Sequence, residues 1–125
     1  MKFQKLLAYR KSFSLAVQIR EVAKNFPKDE KYALSSQIIR SSRAFSATIA
    51  ESYGKRKYPK HFISILTDSD SENFETQSWL EFANACGYIE KEEFKKLINK
   101  SEEIGRIFNY MIYNPKIRSG YYQII

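Results

Sequence analysis

The chain has 125 residues, of which 43% are hydrophobic, 15% aromatic and 28% charged, and its formal net charge is +7. This composition excludes a disordered chain, and the single cysteine, Cys86, excludes an internal disulfide framework. No stretch approaches the roughly 20 apolar residues that span a bilayer, and the N-terminus lacks the apolar run of a signal peptide. We expect one soluble, cytoplasmic domain in which Cys86 is reduced and buried.

Helix-breaking residues divide the sequence into four segments with helical periodicity. The breaks are Pro27, Gly54, Pro59, Gly87 and Pro115. The predicted helices cover residues 4–25, 29–53, 60–86 and 90–113. We therefore predict an all-α fold, a left-handed four-helix bundle over residues 1–114 with a C-terminal extension at 115–125. Asp29 is expected to cap the second helix, and the role of the apolar extension is left open.

The first helix has two apolar stripes instead of one. The first stripe is Ala8, Leu15, Ile19, Val22 and Phe26, and the second is Leu6, Tyr9, Phe13, Ala16 and Ala23. Together they cover more than half of the circumference, whereas a bundle helix with one buried face needs a stripe of about 100°. We expect the second face to pack against another subunit, with tight burial inside one chain as the alternative.

The third helix has a polar centre. Ser69, Asn73 and Thr76 interrupt its apolar stripe, and buried polar groups need hydrogen-bond partners. Arginine can bind two carboxylate oxygens at once and so fix the register between helices. We predict a buried or half-buried ion network between the second and third helices, made of Arg40, Arg43, Asp68, Glu72 and Glu75.

The carboxylates of the third helix also raise the question of a metal or catalytic site. Asp68, Asp70, Glu72 and Glu75 supply the oxygen ligands that hard cations prefer. A di-iron bundle, however, needs Glu-x-x-His pairs on two helices, and His61 is the sole histidine of the sequence. With no nucleophile–base constellation either, we predict no metal, no cofactor, no catalytic residue and no enzymatic activity.

Acidic residues are missing from three stretches, 1–20, 52–67 and 104–125. These stretches contain twelve of the 21 basic residues. If neighbouring helices are antiparallel, the start of the first helix, the second turn and the end of the fourth helix meet at one pole, and a basic pole favours a polyanion. The alternative is a solvated basic turn. The candidate nucleic-acid-binding residues are Lys2, Lys5, Lys55, Arg56, Lys57, Tyr58, Lys60, Lys116 and Arg118.

Several ordered motifs resemble those of a known family. They are FPKDEKY at 26–32, QIIRSSR at 37–43, IAE at 49–51, ETQSWL at 75–80 and ACGYI at 85–89. They are similar to the 23S ribosomal RNA intervening-sequence proteins over about residues 5 to 114. The resemblance implies an up-down-up-down bundle that forms a ring, commonly a homopentamer. It extends to the accessory bundle protein of diversity-generating retroelements, a basic pentamer that engages nucleic acid and a reverse transcriptase.

The sequence departs from this family at two places. Thr48-Ile49-Ala50-Glu51-Ser52 stands where much of the family has Asn-Ile-Ala-Glu-Gly, and Ser69-Asp70 stands where many members have a Gly-Ser pair. We expect a non-enzymatic homo-oligomer that binds RNA or DNA phosphates through the basic pole. The alternative is an interaction scaffold for a nucleic-acid enzyme, without direct nucleic-acid binding, and no membrane partner is expected.

Overall fold

The structure, a computed structural model, describes residues 2–114, and this part of the chain is helical without any strand. Four α-helices make up the fold: α1 at Leu7–Ala23, α2 at Leu34–Gly54, α3 at Pro59–Ala85 and α4 at Lys91–Tyr113. Two short 3-10 helices, Phe3–Lys5 and Lys28–Glu30, precede α1 and α2. The predicted all-α fold with four helices is confirmed, whereas residues 115–125 of the predicted extension lie outside the described residues.

The start of α2 differs from the prediction. The helix begins at Leu34 and not near residue 29, and its N-cap position is Ala33, so the prediction that Asp29 caps it is wrong. The residues after Pro27 form a 3-10 turn first, and Asp29 lies inside that turn. Glu30 serves the helix start instead, because its Oε1 accepts a hydrogen bond from the backbone N–H of Leu34 at 3.3 Å.

The core lies between the four helices and is built on large side chains. Phe45 of α2, Phe62 of α3 and Phe108 of α4 are all fully buried. The rings of Phe45 and Phe108 meet edge to face, with centroids 5.3 Å apart, which is a favourable aromatic geometry. Both α1 and α3 pack against α2 and α4, so each helix has two neighbours and the core is closed on all sides.

Contacts between α2 and α3 pair residues in opposite order along the two helices. Arg40 bonds Glu75 near the start of α2, and Thr48 Oγ1 lies 2.5 Å from Ser69 Oγ further along. Contacts between α1 and α4 also pair residues in opposite order. Lys11 pairs with Glu103, and further along α1 Gln18 accepts a hydrogen bond from Lys100.

The polar centre of α3 finds its partners on both neighbouring helices. Thr76 Oγ1 lies 2.8 Å from Ser41 Oγ of α2, and Ser69 Oγ donates to the backbone oxygen of Phe45 at 2.8 Å. On the other side, Asn73 Nδ2 donates to the backbone oxygen of Ser101 of α4 at 3.1 Å. Uncharged hydroxyl and amide groups therefore satisfy the buried middle of the bundle, which avoids the cost of desolvating a charge.

The linker before α2 and the linker before α4 meet at the same end of the molecule. Tyr88 donates a hydrogen bond from its hydroxyl to Glu30 Oε2 at 3.0 Å, and its ring lies 5.7 Å from that of Phe26. Gly87 supplies the left-handed backbone, with φ of 73°, that ends α3. Cys86 just before it is exposed, so the expectation of a buried cysteine is wrong.

Candidate nucleic-acid interface

A tight turn joins α2 to α3, and this turn and the first turn of α3 carry four of the eight predicted basic residues. The N–H of Lys55 donates to the oxygen of Ser52 and the N–H of Tyr58 to the oxygen of Lys55, each at 2.9 Å. Pro59 then occupies the first turn of α3, where its missing N–H costs nothing and its fixed φ suits the helix. Backbone hydrogen bonds therefore hold the turn without the help of its lysine side chains.

The four cations of this turn region differ in how accessible they are. Arg56 is used locally, because its Nη1 donates to the backbone oxygen of Tyr53 at 2.8 Å and its guanidinium lies 4.0 Å from the centre of the Tyr53 ring. Lys55, Lys57 and Lys60 are exposed, and no carboxylate of residues 2–114 lies within ion-pair distance of them. These three lysines therefore carry the accessible charge of the turn.

Two aromatic side chains accompany these lysines. Tyr58 is 61% exposed, and its ring lies 6.3 Å from that of the exposed His61 at an angle of 51°. Such a ring offers a flat apolar face on which a base can stack, whatever its sequence.

The N-terminal cations lie on a separate short segment. Lys2 and Lys5 are exposed, and the 3-10 helix between them is held by Phe3, whose ring meets that of Tyr9 at 90° and 4.9 Å. This 3-10 helix also contacts α2. The two remaining predicted residues, Lys116 and Arg118, lie outside the described part of the chain.

The structure brings together three members of the predicted ion network. Arg40 Nη2 lies 2.5 Å from Glu75 Oε1 and 3.5 Å from Glu72 Oε2, and the hydrogen bond to Glu75 is the main reason why the pKa of Arg40 is raised. The Arg40 side chain is 49% exposed, so the pair lies at the surface of the α2–α3 groove. Arg43 and Asp68 are exposed and are not joined to it by an ion pair.

A basic cleft that was not predicted lies between the end of α1 and the first half of α2. Its volume is about 770 Å³. Six cations line it: Arg20, Lys24, Lys28, Lys31, Arg40 and Arg43. Arg20 belongs to the acid-free stretch 1–20, whereas Lys24 and Lys28 are interleaved with Glu21 and Asp29. Lys31, Arg40 and Arg43 lie in residues 31–50, which also lack acids but are not one of the three stretches on which the basic pole was predicted. A count of cations from the end of α1 to the middle of α2 would have found them.

We also considered a metal site and a membrane-spanning helix. Among residues 2–114, no group of three or more histidine, cysteine, aspartate and glutamate side chains is arranged to hold a metal ion. No helix in this described range is both long enough and apolar enough to cross a membrane. The basic surfaces are thus the features with the clearest chemical preference.

Comparisons with known proteins place these features in context. Residues 4–110 match the family described as 23S rRNA-intervening sequence protein. The fold is similar to the crystal structure of a protein with unknown function from the S23 ribosomal protein family of Bacteroides thetaiotaomicron VPI-5482, with a TM-score of 0.79 and 30% sequence identity. That match covers 91% of this chain and 100% of the other. None of the curated proteins compared matches the sequence.

Proposed function

Since the chain belongs to the family of 23S rRNA-intervening sequence proteins, as the sequence motifs indicated, we propose that it is a non-enzymatic, oligomeric protein that binds RNA or DNA phosphates. The observation that carries this proposal is the region from the α2–α3 turn to the first turn of α3. There Lys55, Lys57 and Lys60 are exposed beside the exposed ring of Tyr58 and have no acidic partner among residues 2–114. Lysine side chains contact phosphates without regard to sequence, and aromatic rings stack on bases.

A basic pole requires that the helices alternate in direction. The opposite order of the contacts between α2 and α3 and between α1 and α4 supports an up-down-up-down bundle. In that topology the segment Phe3–Lys5 and the α2–α3 turn lie at the same end, which agrees with the contact between the 3-10 helix and α2. Lys2 and Lys5 then add to the charge of the turn.

A ring of subunits would multiply this basic pole. A cyclic assembly with more than two members needs two different surfaces, one on each side of the subunit. Two exposed apolar faces satisfy this need: Phe13 and Val17 on α1, and Phe74 and Phe82 on α3. Because α1 and α3 share the same two neighbours, they occupy opposite corners of the bundle. We propose a ring in which α1 of one subunit packs on α3 of the next, and the expected number of five subunits stays a prediction.

The test is a charge reversal in the α2–α3 turn. The variant Lys55→Glu/Lys57→Glu should bind a 20-nucleotide single-stranded RNA at least about tenfold more weakly than the unaltered protein. The slope of log affinity against log salt should fall by about 1.4, because each phosphate contact on a single strand contributes about 0.7. Fluorescence anisotropy at four salt concentrations measures both quantities.

The matched control is Lys95→Glu/Lys96→Glu, which makes the same charge change at two exposed positions of α4. It should leave the salt slope nearly unchanged. Equal losses in both variants would mean that net charge alone matters and would refute a local site. Unchanged RNA affinity in the turn variant would favour the alternative of a protein-interaction scaffold, in which the basic turn only steers encounters.

A further inference from the structure

The basic cleft is built by three consecutive parts of the chain. The last turns of α1 provide Arg20 and Lys24, the linker provides Lys28 and Lys31, and α2 provides the remaining cations from its first half. The volume of about 770 Å³ falls within the roughly 300–1,000 Å³ of ligand pockets. The cleft is therefore comparable in volume to a ligand pocket, and it is widely open to solvent.

The positive charge of the cleft is only partly neutralised. Glu21 is shared between Arg20 and Lys24, at 3.6 and 3.0 Å, and Arg40 is paired with the two glutamates of α3. The other three cations, Lys28, Lys31 and Arg43, have no ion pair among residues 2–114. Six cations therefore line the cleft, and three carboxylates are paired with them. The exposed Asp29 is a further acid, next to Lys28 in the sequence. The surplus favours an anion with more than one charge.

Apolar and hydroxyl groups complete the lining. Phe26, which is buried, and Ile39, which is half-buried, both line the cleft. Tyr32 is 87% exposed at the edge, with Lys31 Nζ 5.3 Å from its ring centre, and Ser35 and Ser36 add hydroxyl groups. The exposed ring of Tyr32 offers a flat apolar surface beside the cations of the cleft, on which a flat ligand can stack.

We propose that this cleft holds an unpaired stretch of nucleic acid, with phosphates on Lys28, Lys31 and Arg43 and a base stacked on Tyr32. An open cleft of this volume can accommodate a base and its phosphate, whereas the stacked bases of a duplex cannot lie flat on the ring of Tyr32. Aromatic stacking beside a positively charged groove is the usual way in which single strands are bound. The choice of nucleic acid as the ligand rests on the proposed function.

The cleft is separate from the α2–α3 turn. Arg43 and Gly54 are 11 residues apart on α2, which corresponds to about 16 Å along the helix axis. Substitutions in the cleft therefore leave the lysines of the turn in place. For this reason the cleft can fail as a binding site while the proposed function stands.

The first experiment maps the contacts directly. The probe is a 20-nucleotide oligouridylate that contains 4-thiouridine, cross-linked to the full chain by light and analysed by peptide mass spectrometry. Cross-links on the peptide that contains Tyr32 are the expected result. Cross-links confined to the peptide around Tyr58 would overturn the cleft and leave the proposed function intact. The absence of any cross-link, together with unmeasurable affinity at low salt, would overturn both proposals.

The second experiment uses variants in a binding titration with the same oligouridylate. Tyr32→Ala should weaken binding about tenfold, whereas Tyr32→Trp should keep it, because the stacking surface is retained. Lys28→Glu/Lys31→Glu should lower the salt slope by about 1.4, and the control Lys95→Glu/Lys96→Glu should not. Equal behaviour of Tyr32→Ala and Tyr32→Trp, or of the two double variants, would refute the cleft as a binding site.

Competition with unlabelled molecules distinguishes between related ligands. Unlabelled oligouridylate should displace the probe from the cleft, while uridine monophosphate and a duplex of equal length should do so at least about tenfold less well. Displacement by an oligoglutamate of equal charge as effective as by oligouridylate would assign the cleft to acidic peptides and refute the proposal. Equal displacement by the monophosphate would assign it to free nucleotides, with the same consequence.

Discussion

Ser101 and Ser46 are two buried serines with opposite surroundings. Ser101 Oγ donates to Asn73 Oδ1 and accepts a hydrogen bond from Gln77 Nε2 at 2.8 Å, so it links α4 to α3. Ser46 Oγ, in α2, is buried without a hydrogen-bond partner among the described residues. The same side chain is therefore part of a network at one position and an unsatisfied polar group at the other.

The substitution of each serine by alanine should give opposite results. Ser101→Ala removes the hydroxyl that bonds Asn73 Oδ1 and Gln77 Nε2 and should lower the free energy of unfolding by about 1–3 kcal/mol. Ser46→Ala removes a polar atom that has no partner and adds helix propensity, so it should be neutral or stabilising. Urea unfolding followed by circular dichroism measures both. Equal losses in the two variants would contradict the network.

Tyr88 makes the stability of the fold sensitive to alkaline pH. Its hydrogen bond to Glu30, with lesser contributions from burial and nearby negative charges, raises the pKa of Tyr88 to about 12 from the ordinary value of 10. Because the folded pKa is the higher one, this contribution to stability is complete below about pH 10. It is lost as the pH rises towards 12.

The variant Tyr88→Phe tests this contribution. It lacks the hydrogen bond, so it should be less stable than the unaltered protein at pH 8. The stability difference between the two proteins should shrink between pH 10 and pH 12, because Tyr88 loses its proton in this range. Urea unfolding at a series of pH values gives this difference curve. A constant difference over the whole range would contradict the assignment.

At the scale of the helices, two glycines show how position decides the effect of one change. Gly105 lies inside α4 and faces α3, where a Cβ would be 3.4 Å from Asn73 Nδ2 and 3.9 Å from Asp70 Oδ1. Those are ordinary contact distances. Gly87 ends α3 with φ of 73°, a conformation that side chains with a Cβ disfavour.

Alanine at these two positions should shift stability in opposite directions. Gly105→Ala should raise the free energy of unfolding by about 0.5–1 kcal/mol through helix propensity. Gly87→Ala should lower it by about 1–2 kcal/mol, because the residue must stay in the left-handed region. Thermal and urea unfolding of the two variants provide the comparison. A destabilised Gly105→Ala protein would show that α3 and α4 approach too closely there for a methyl group.

At the scale of the whole molecule, a ring predicts a result that a symmetric dimer with a single self-complementary face would not give. Phe13→Glu alters the α1 face and Phe74→Glu the α3 face, and each should reduce the assembly to monomers. An equal mixture of the two variants should form heterodimers and no larger species, because one intact face of each kind remains. Light scattering after size-exclusion chromatography measures these masses.

The control for this experiment is Tyr110→Glu on α4, since Tyr110 and Phe13 are both 53% exposed. It should leave the mass of the assembly unchanged. If all three variants keep the mass of the unaltered protein, the exposed faces of α1 and α3 are not the subunit contacts. If Phe13→Glu alone dissociates the assembly, the contact joins two α1 faces and the proposed ring is wrong.

The fold was largely predictable because its signals are local. Helical periodicity between Pro27, Gly54, Pro59 and Gly87 predicted four helices, and three of them begin and end within about three residues of the predicted positions. The start of α2 was not predictable in the same way. Asp29 has the right chemistry for a cap, but the 3-10 turn after Pro27 and the contact between Glu30 and Tyr88 determine where the helix begins.

The candidate site was predictable only in part. Lys55, Arg56 and Lys57 are equivalent in the sequence, yet Arg56 is bound to Tyr53 and its two neighbours are exposed. A sequence pattern counts charges and does not show which ones already have a partner. The basic cleft was not predicted because its cations come from α1, the linker and α2, and only the fold shows that these three parts line one surface.

The order of apolar, breaking and charged residues along this chain is enough to determine four helices, one core and an excess of positive charge. The helices depend on neighbours within a few residues, the apolar faces that form the core follow from the helical period, and the charge follows from composition. Only the tertiary structure decides which cations remain free, which polar groups bond across helices and which apolar faces stay uncovered. Those outcomes depend on residues that are distant in sequence and adjacent in space, such as Arg40 with Glu75 and Glu30 with Tyr88.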